Sequence, residues 1–454
     1  MNAKRLLPPA IFISISAITA FGQIPCPAPS PTSVRASLVC ILPLTSADLG
    51  AAGATAEALQ NSLVTPFNAA FATQLTQLPV PTGTVGTVLL KDKNDPYGHS
   101  FDNLGPILTD RPETVGKGHL YAGFSYQHFD FDKVDSLNLD KFNIGYTYQQ
   151  ISSSNASDLQ TVFRAFTNDI SFQLDQYVAL VTLGVTQRTD ISVVIPFNSV
   201  SVRATGKNFV GYLYDSVQNE WITEQFTSSS SQTNTGSASG IGDVTLNFKQ
   251  MLHGTRDEGT PTAVSVGAAF RFPSGDPLNY LGSGAYGVNA YGIFSYRSSK
   301  TRVSPHLKLS YQWNGRSVLV NPSTTTNTNY KLPGGAQYDG GADVKIFRTL
   351  TFAADIFGSQ FDNTPSYAPE TLSLAQTAVI GQSSPAQPPV ATLPGVSVSN
   401  NTYSTANLST GFKWQPHAGL LLMGNVSIPI NNAGLHSNPV PLFGIAYNFN
   451  LFHK

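Results

Sequence analysis

The chain lacks what most membrane-crossing and most catalytic proteins display openly. Beyond Phe21 no apolar run approaches the about 20 consecutive residues a spanning helix needs, so a helical bundle in lipid is excluded. Charged residues are only 12% of the chain and the net charge is -1, which removes nucleic acid and anionic surfaces as partners. There are two cysteines in 454 residues, Cys26 and Cys40, and no CxxC or Cys/His spacing that would hold a metal. No Walker loop, HExxH or GxSxG is present. Mean hydropathy is close to zero, so the apolar residues must be dispersed in a pattern rather than gathered in blocks.

That pattern is alternation. In Pro305–Trp313, PHLKLSYQW, the residues Pro305, Leu307, Leu309, Tyr311 and Trp313 fall on one face of a strand, and His306, Lys308, Ser310 and Gln312 on the other. The same rhythm recurs about a dozen times after residue 118, in segments of the 9–11 residues that a tilted strand needs to cross a bilayer. Short links at Arg188–Asp190, Arg297–Thr301, Phe347–Arg348 and Gln415–Ala418 alternate with long ones at Thr205–Gly240, Gly315–Gly334 and Asp362–Asn401. The expected fold is an all-β, transmembrane, antiparallel up-and-down barrel over residues 118–454. Twelve strands satisfy the parity if Phe163 to Thr186 is one long strand. Its apolar pattern changes face near Asp175, which suggests a bulge there. If a turn falls at that point and Phe142–Tyr148 also spans, the number is 14. The long loops, TSSSSQTNTGSASG and SSPAQPPVATLPG among them, read as flexible low-complexity connections.

The N-terminus reads as an export signal over residues 1–22: Lys4 and Arg5, an apolar stretch from Leu6 to Phe21, then the small residues Ala20 and Gly22. Gln23-Ile24-Pro25 lacks the small residue expected before a lipidated Cys26. In an oxidising compartment Cys26 and Cys40 can form a disulfide worth roughly 3 kcal/mol at most. Residues 23–117 form a periplasmic N-terminal segment. Within it Leu59, Leu63, Phe67, Phe71 and Leu75 recur every four residues, the signature of an amphipathic helix. One reading packs that helix on the barrel base; the other inserts it into the lumen as a plug. Pro79 to Gly118 is a polar connection, punctuated by Pro and Gly, to the first strand.

Eight charged or titratable residues fall on the inward faces: Lys249, His306, Lys308, Asp339, Asp343, Lys345, Asp355 and Lys413. Such groups either satisfy one another inside the barrel or line a path that selects solutes. His306 and Lys308 are the pair best placed to touch a solute, and Tyr121 and Tyr291 put aromatic rings on the inward faces. Gly282–Gly287 matches GxGxxG, but no strand–helix unit surrounds it, so it is read as turn chemistry. Asp130, Asp132, Asp135 and Asp140 lack the spacing and glycine of a calcium loop and read as a solvated loop. No cofactor and no catalytic residue is expected.

NLGPILTDRPETVGKG, GIGDVTLNFK, FRFPSGDPLNYLGSGA and SPHLKLSYQWNG together resemble outer-membrane proteins of the meta-pathway phenol-degradation family, over roughly Gly105 to Phe449. The most specific elements are Thr109-Asp110-Arg111-Pro112, Gly242-Asp243-Val244 and Pro273-Ser274-Gly275-Asp276. The family is similar in style to long-chain fatty-acid and aromatic-hydrocarbon transporters, in the first of which an N-terminal hatch plugs the lumen. The resemblance implies a channel in the outer membrane of a Gram-negative bacterium for passive uptake of hydrophobic or aromatic small molecules. Its implied partners are lipid, the solute and the barrel-insertion machinery. That machinery reads a terminal aromatic, here Phe449, or Phe452 in a shifted register. A structural or surface-interaction barrel with a plugged lumen and an outer-membrane hydrolase are the competing functions.

Overall fold

The computed structural model describes residues 34, 67–80, 90–92, 95–99, 104–151, 159–215, 220–224, 232–254, 261–297, 302–320, 330–373, 392–417 and 419–451. The signal segment, Cys26 and Cys40, Leu59, Leu63 and Phe452 lie outside the described residues. Among the described residues no helix is long and apolar enough to cross a membrane.

Twelve strands form the wall: β1 (His119–Val134), β2 (Leu159–Gly184), β3 (Thr189–Asp215), β4 (Thr245–His253), β5 (Thr262–Arg271), β6 (Gly287–Tyr296), β7 (Val303–Asn314), β8 (Gly335–Phe347), β9 (Leu350–Ser373), β10 (Thr392–His417), β11 (Leu420–Pro429) and β12 (Val440–Asn450). Each pairs antiparallel with its neighbours in sequence. The ring closes where β12 meets β1, with Phe443 opposite Tyr126 and Ile445 opposite Phe124. Closure leaves the membrane-crossing wall without a free edge, as lipid requires. The short links cluster at one end, the turn end; the long ones form the opposite, loop end. Strands β2, β3, β9 and β10 run far past the others at the loop end. There Phe142–Ile151 pairs with the start of β2, and Gln232–Ile241 with the middle of β3.

Three expectations change here. No bulge occurs at Asp175; the register shift in β2 lies between Ala165 and Thr167. The strand keeps its phase, and it is the chemistry of the inward face that changes. Ile170, Phe172 and Leu174 are buried inward at the loop end, while Tyr177, Val181 and Leu183 are outward nearer the turn end. The inward face is apolar there because an apolar body occupies the lumen at that height. Likewise Gln232–Ile241, expected to be flexible, is a strand, because the exposed edge of β3 supplies ten consecutive pairing positions to it. The proline-rich stretch is in part a strand too, since β10 already begins at Thr392.

The outward face is the apolar one all round. Phe124, Leu309, Trp313, Phe412 and Phe443 are each about half exposed or more, at 49%, 56%, 53%, 50% and 63%. A belt of this size faces lipid, since a soluble monomer rarely leaves such an area in water. Tyr311 and Trp313 pack together near the loop end, 4.7 Å between ring centres. Leu309 lies in the middle of β7 within this belt, so Leu309→Arg is expected to cost roughly 2–4 kcal/mol of stability in phospholipid vesicles. Equilibrium unfolding by denaturant measures it, and an unchanged midpoint would mean that this face does not meet lipid.

Candidate functional site: the occupied lumen

Three pieces of chain fill the barrel. The first is the helix over residues 67–75. It is buried on every side from Phe67 to Thr73, rather than along the one stripe that its periodicity suggests. It does not sit on the base. Phe71 packs against Phe172 of β2 at 4.3 Å and Phe131 of β1 at 5.8 Å, ring centre to ring centre. This contact explains the apolar inward face of β2.

The second piece is the loop 272–286 between β5 and β6, which folds inward from the loop end. A short helical turn, Pro277–Asn279, ends at Tyr280 in the left-handed region (φ 55°), an unusual conformation for a bulky residue. That turn aims the Tyr280 ring at Phe71, 4.7 Å away, and its hydroxyl donates to Asn68 Oδ1 at 2.5 Å. The loop is held by Asp243, whose carboxylate accepts from the amides of Gly275 (3.2 Å) and Ser283 (2.8 Å) and from the Ser283 hydroxyl (2.5 Å). Burial pushes the Asp243 carboxyl up, while these donors and Arg271 hold it back. Gly282 has no side chain because a Cβ there would lie 2.2 Å from Asp243 Oδ1. The GxGxxG-like run thus wraps one of the chain's own carboxylates. The Gly242-Asp243-Val244 and Pro273–Asp276 motifs are two halves of one clasp.

The third piece is residues 104–118, which cross the lumen at the turn end as a floor. The Leu104 amide donates to Thr351 Oγ1 of β9 at 2.8 Å, and Lys413 of β10 donates to the Leu104 carbonyl at 3.4 Å. Thr109 Oγ1 meets His306 Nε2 of β7 at 2.7 Å, and the Arg111 guanidinium pairs with Asp343 of β8. Lys249 of β4 donates to Asp110 Oδ1 (3.3 Å) and to the carbonyls of Arg111 (3.0 Å) and Glu113 (2.9 Å). Arg297 reaches Glu113 Oε1 at 3.0 Å. The Val115 amide donates to Asp190 of β3 at 3.0 Å. Finally Gly116 passes so close to Gly184 that a Cβ on the latter would lie 1.9 Å from the Gly116 carbonyl oxygen. Neighbouring wall residues complete the packing: Tyr121, Leu180, Leu421, Met423 and Leu442 bury Leu104, Ile107 and Val115.

The eight inward candidates therefore divide. His306 also contacts Asp355 Oδ1 (2.9 Å) and Asp343 Oδ1 (3.4 Å) through its two nitrogens. With Asp343, Asp355, Lys413 and Lys249 it is buried against the floor, so His306 is not open to a solute. Lys345 lies near the turn end of β8, part-exposed. Lys308 and Asp339 stand apart, opposite one another in register and 3.7 Å apart, each about one-fifth accessible. Asp343, His306 and Thr109 form an acid–imidazole–hydroxyl row like that of a hydrolase, but all three side chains are buried, and a substrate could not reach the hydroxyl. The acidic residues expected in a solvated outer loop are placed otherwise: Asp130, which accepts from Asn438, and Asp132, which contacts His436 (2.5 Å), lie in β1, and Asp135 is buried, accepting from the amides of Tyr367 and Gly434.

Between the floor and the helix lies a chamber of about 330 Å3. Its wall mixes Lys308, Asp339, Asn247, Asn289 and Gln337 with Tyr291, Phe357, Phe129, Leu180 and Leu108. The residues that sequence reading missed are those of the floor. Thr109, Asp110 and Arg111 stood in the most specific motif, and the signal for their place was complementarity: the inward wall carries excess charge that a TDR sequence could neutralise.

The family described as putative MetA-pathway of phenol degradation matches residues 152–364 of the chain, within the Gly105–Phe449 span of the resemblance. No curated protein matches the sequence. Among solved structures, the COG4313 outer membrane channel from Pseudomonas putida F1 is similar at 11% identity and a TM-score of 0.41, over 74% of this chain and 98% of that one. A FadL homologue from Pseudomonas aeruginosa has 10% identity and a TM-score of 0.32, over 82% and 99%. The CymD monoaromatic hydrocarbon channel has 10% identity and a TM-score of 0.30, over 74% and 90%.

Removing the Arg111 charge would leave Asp343 buried beside His306 with its strongest partner gone, a defect of about 3–5 kcal/mol. Arg111→Ala is expected to abolish hydrogen-exchange protection of residues 104–115 while β1–β12 stay protected. Arg111→Met with Asp343→Leu should restore most of it. Unchanged protection in Arg111→Ala would show that the pair does not hold the floor. Over residues 152–364 the chain matches the family described as putative MetA-pathway of phenol degradation.

Proposed function

We propose that the protein is an outer-membrane channel for passive uptake of hydrophobic or aromatic small molecules. The observation that carries this reading is the chamber: a closed, lipid-facing barrel that keeps about 330 Å3 of accessible space between two inserted segments, with aromatic and aliphatic side chains in its wall. A barrel whose interior served only to support display loops would gain stability from filling that space. The volume suits one small solute and is far below the water-filled lumen of a wide porin. The matched family and the names of the similar channels agree with this reading. No energy source is required, since a solute moving down its gradient needs only a route and a transient site.

The electrostatically sealed floor favours the second reading, a structural barrel with a plugged lumen. The two are separated by uptake into proteoliposomes. The channel should accelerate entry of a radiolabelled single-ring aromatic well above protein-free vesicles, while sucrose entry stays at background. Equal rates with and without protein for the aromatic would favour the plugged barrel and sink the channel.

A further inference from the structure

Four residues on four consecutive strands line one side of the chamber: Tyr291 on β6, Lys308 on β7, Asp339 on β8 and Phe357 on β9. Lys308 is opposite Asp339 in register, and Asp339 is opposite Phe357. The row thus reads aromatic, cation, anion, aromatic. Its geometry is fixed from behind. The Tyr291 hydroxyl donates to Asn247 Oδ1 at 2.8 Å, and its ring lies over Gly267, where a Cβ would be 2.3 Å from the ring. The Lys308 ammonium is 5.1 Å from the centre of that ring.

Lys308 and Asp339 differ from the charges of the floor. At 3.7 Å they attract one another but are too far apart for a hydrogen bond. Their side chains keep 23% and 21% of their surface accessible, where those of Arg111 and Asp343 keep 3% and 0%. A group entering between them meets a donor on one side and an acceptor on the other. A hydroxyl satisfies both, since it accepts from the ammonium and donates to the carboxylate. A bare hydrocarbon would displace water from the pair and return no hydrogen bond. A carboxylate would face Asp339 at close range with like charge.

We propose that Tyr291, Lys308, Asp339 and Phe357 form a binding subsite for a neutral, hydroxylated single-ring aromatic, with the hydroxyl between Lys308 and Asp339 and the ring against Tyr291 and Phe357. The biological meaning of the subsite rests on the uptake reading above; its existence does not, because equilibrium binding is measured without transport.

The test uses the full-length protein in detergent micelles, titrated with phenol, toluene and benzoate by equilibrium dialysis, with protein-free micelles as the blank. Phenol is expected to bind about tenfold more tightly than toluene, and benzoate more weakly than phenol. The double variant Lys308→Met with Asp339→Leu removes both charges together and so leaves neither buried alone. It should bring phenol down to the toluene level and leave toluene unchanged. Heat-modifiable migration in gels confirms that the barrel is folded; Lys308→Gln with Asp339→Asn serves if the first pair does not fold. A phenol-to-toluene ratio that stays at the wild-type value in a folded double variant overturns the subsite, as does benzoate binding more tightly than phenol. Loss of the phenol preference in the folded double variant, together with a wild-type protein that carries no solute into vesicles, would uphold the subsite and sink the uptake reading alone.

Discussion

Charged side chains on the inner wall of a closed sheet must find partners, and in a ring of twelve strands most of them cannot reach across to the opposite wall. This protein meets that demand with its own N-terminal chain. Residues 104–118 carry amide, carbonyl, hydroxyl, carboxylate and guanidinium groups from β10 round to β3, and each meets a wall residue on the way. The floor and the wall are each unsatisfied without the other. A buried charge deprived of its partner is costly, whereas a paired one is close to neutral. The network therefore specifies where the segment lies more than it adds to total stability.

The loop end is closed by different physics. The helix over 67–75 and the inward loop 272–286 bring Phe67, Phe71 and Tyr280 against Phe131, Phe172, Val200 and Val202. Apolar packing of this kind is non-directional, and its orientation comes from a few polar contacts such as Tyr280 with Asn68. A polar floor and an apolar cap leave between them a chamber with both kinds of surface. A wholly greasy space would retain hydrocarbons and a wholly polar one would hold water; this chamber is neither.

Much of the barrel was legible in the chain. The period-two pattern placed the outward faces of β7, β10 and β12, and the alternation of short and long links gave twelve strands. What misled was chemistry read as backbone phase: the apolar run Ile170, Phe172, Leu174 looked like a change of face, yet the strand runs on unbroken and it is the content of the lumen that changes. Gln232–Ile241 misled in the other direction, since its small polar residues carry no strand signal and pair only because the edge of β3 is there to receive them. His306 and Lys308 sit two residues apart on one face and could not be told apart by pattern, although one is sealed by Thr109 and the other opens to the chamber.

The sequence by itself determined the wall, because alternation is a local property: each residue declares its face relative to its neighbours, and a strand that must show lipid one side and water or protein the other has one solution. Only the tertiary structure decided what fills the wall. The floor, the clasp around Asp243 and the row from Tyr291 to Phe357 join residues far apart in the chain, and contacts of that range leave no periodic trace. Charge complementarity narrows the possible pairings, but the choice among them is made when the sheet closes and fixes which groups are within reach.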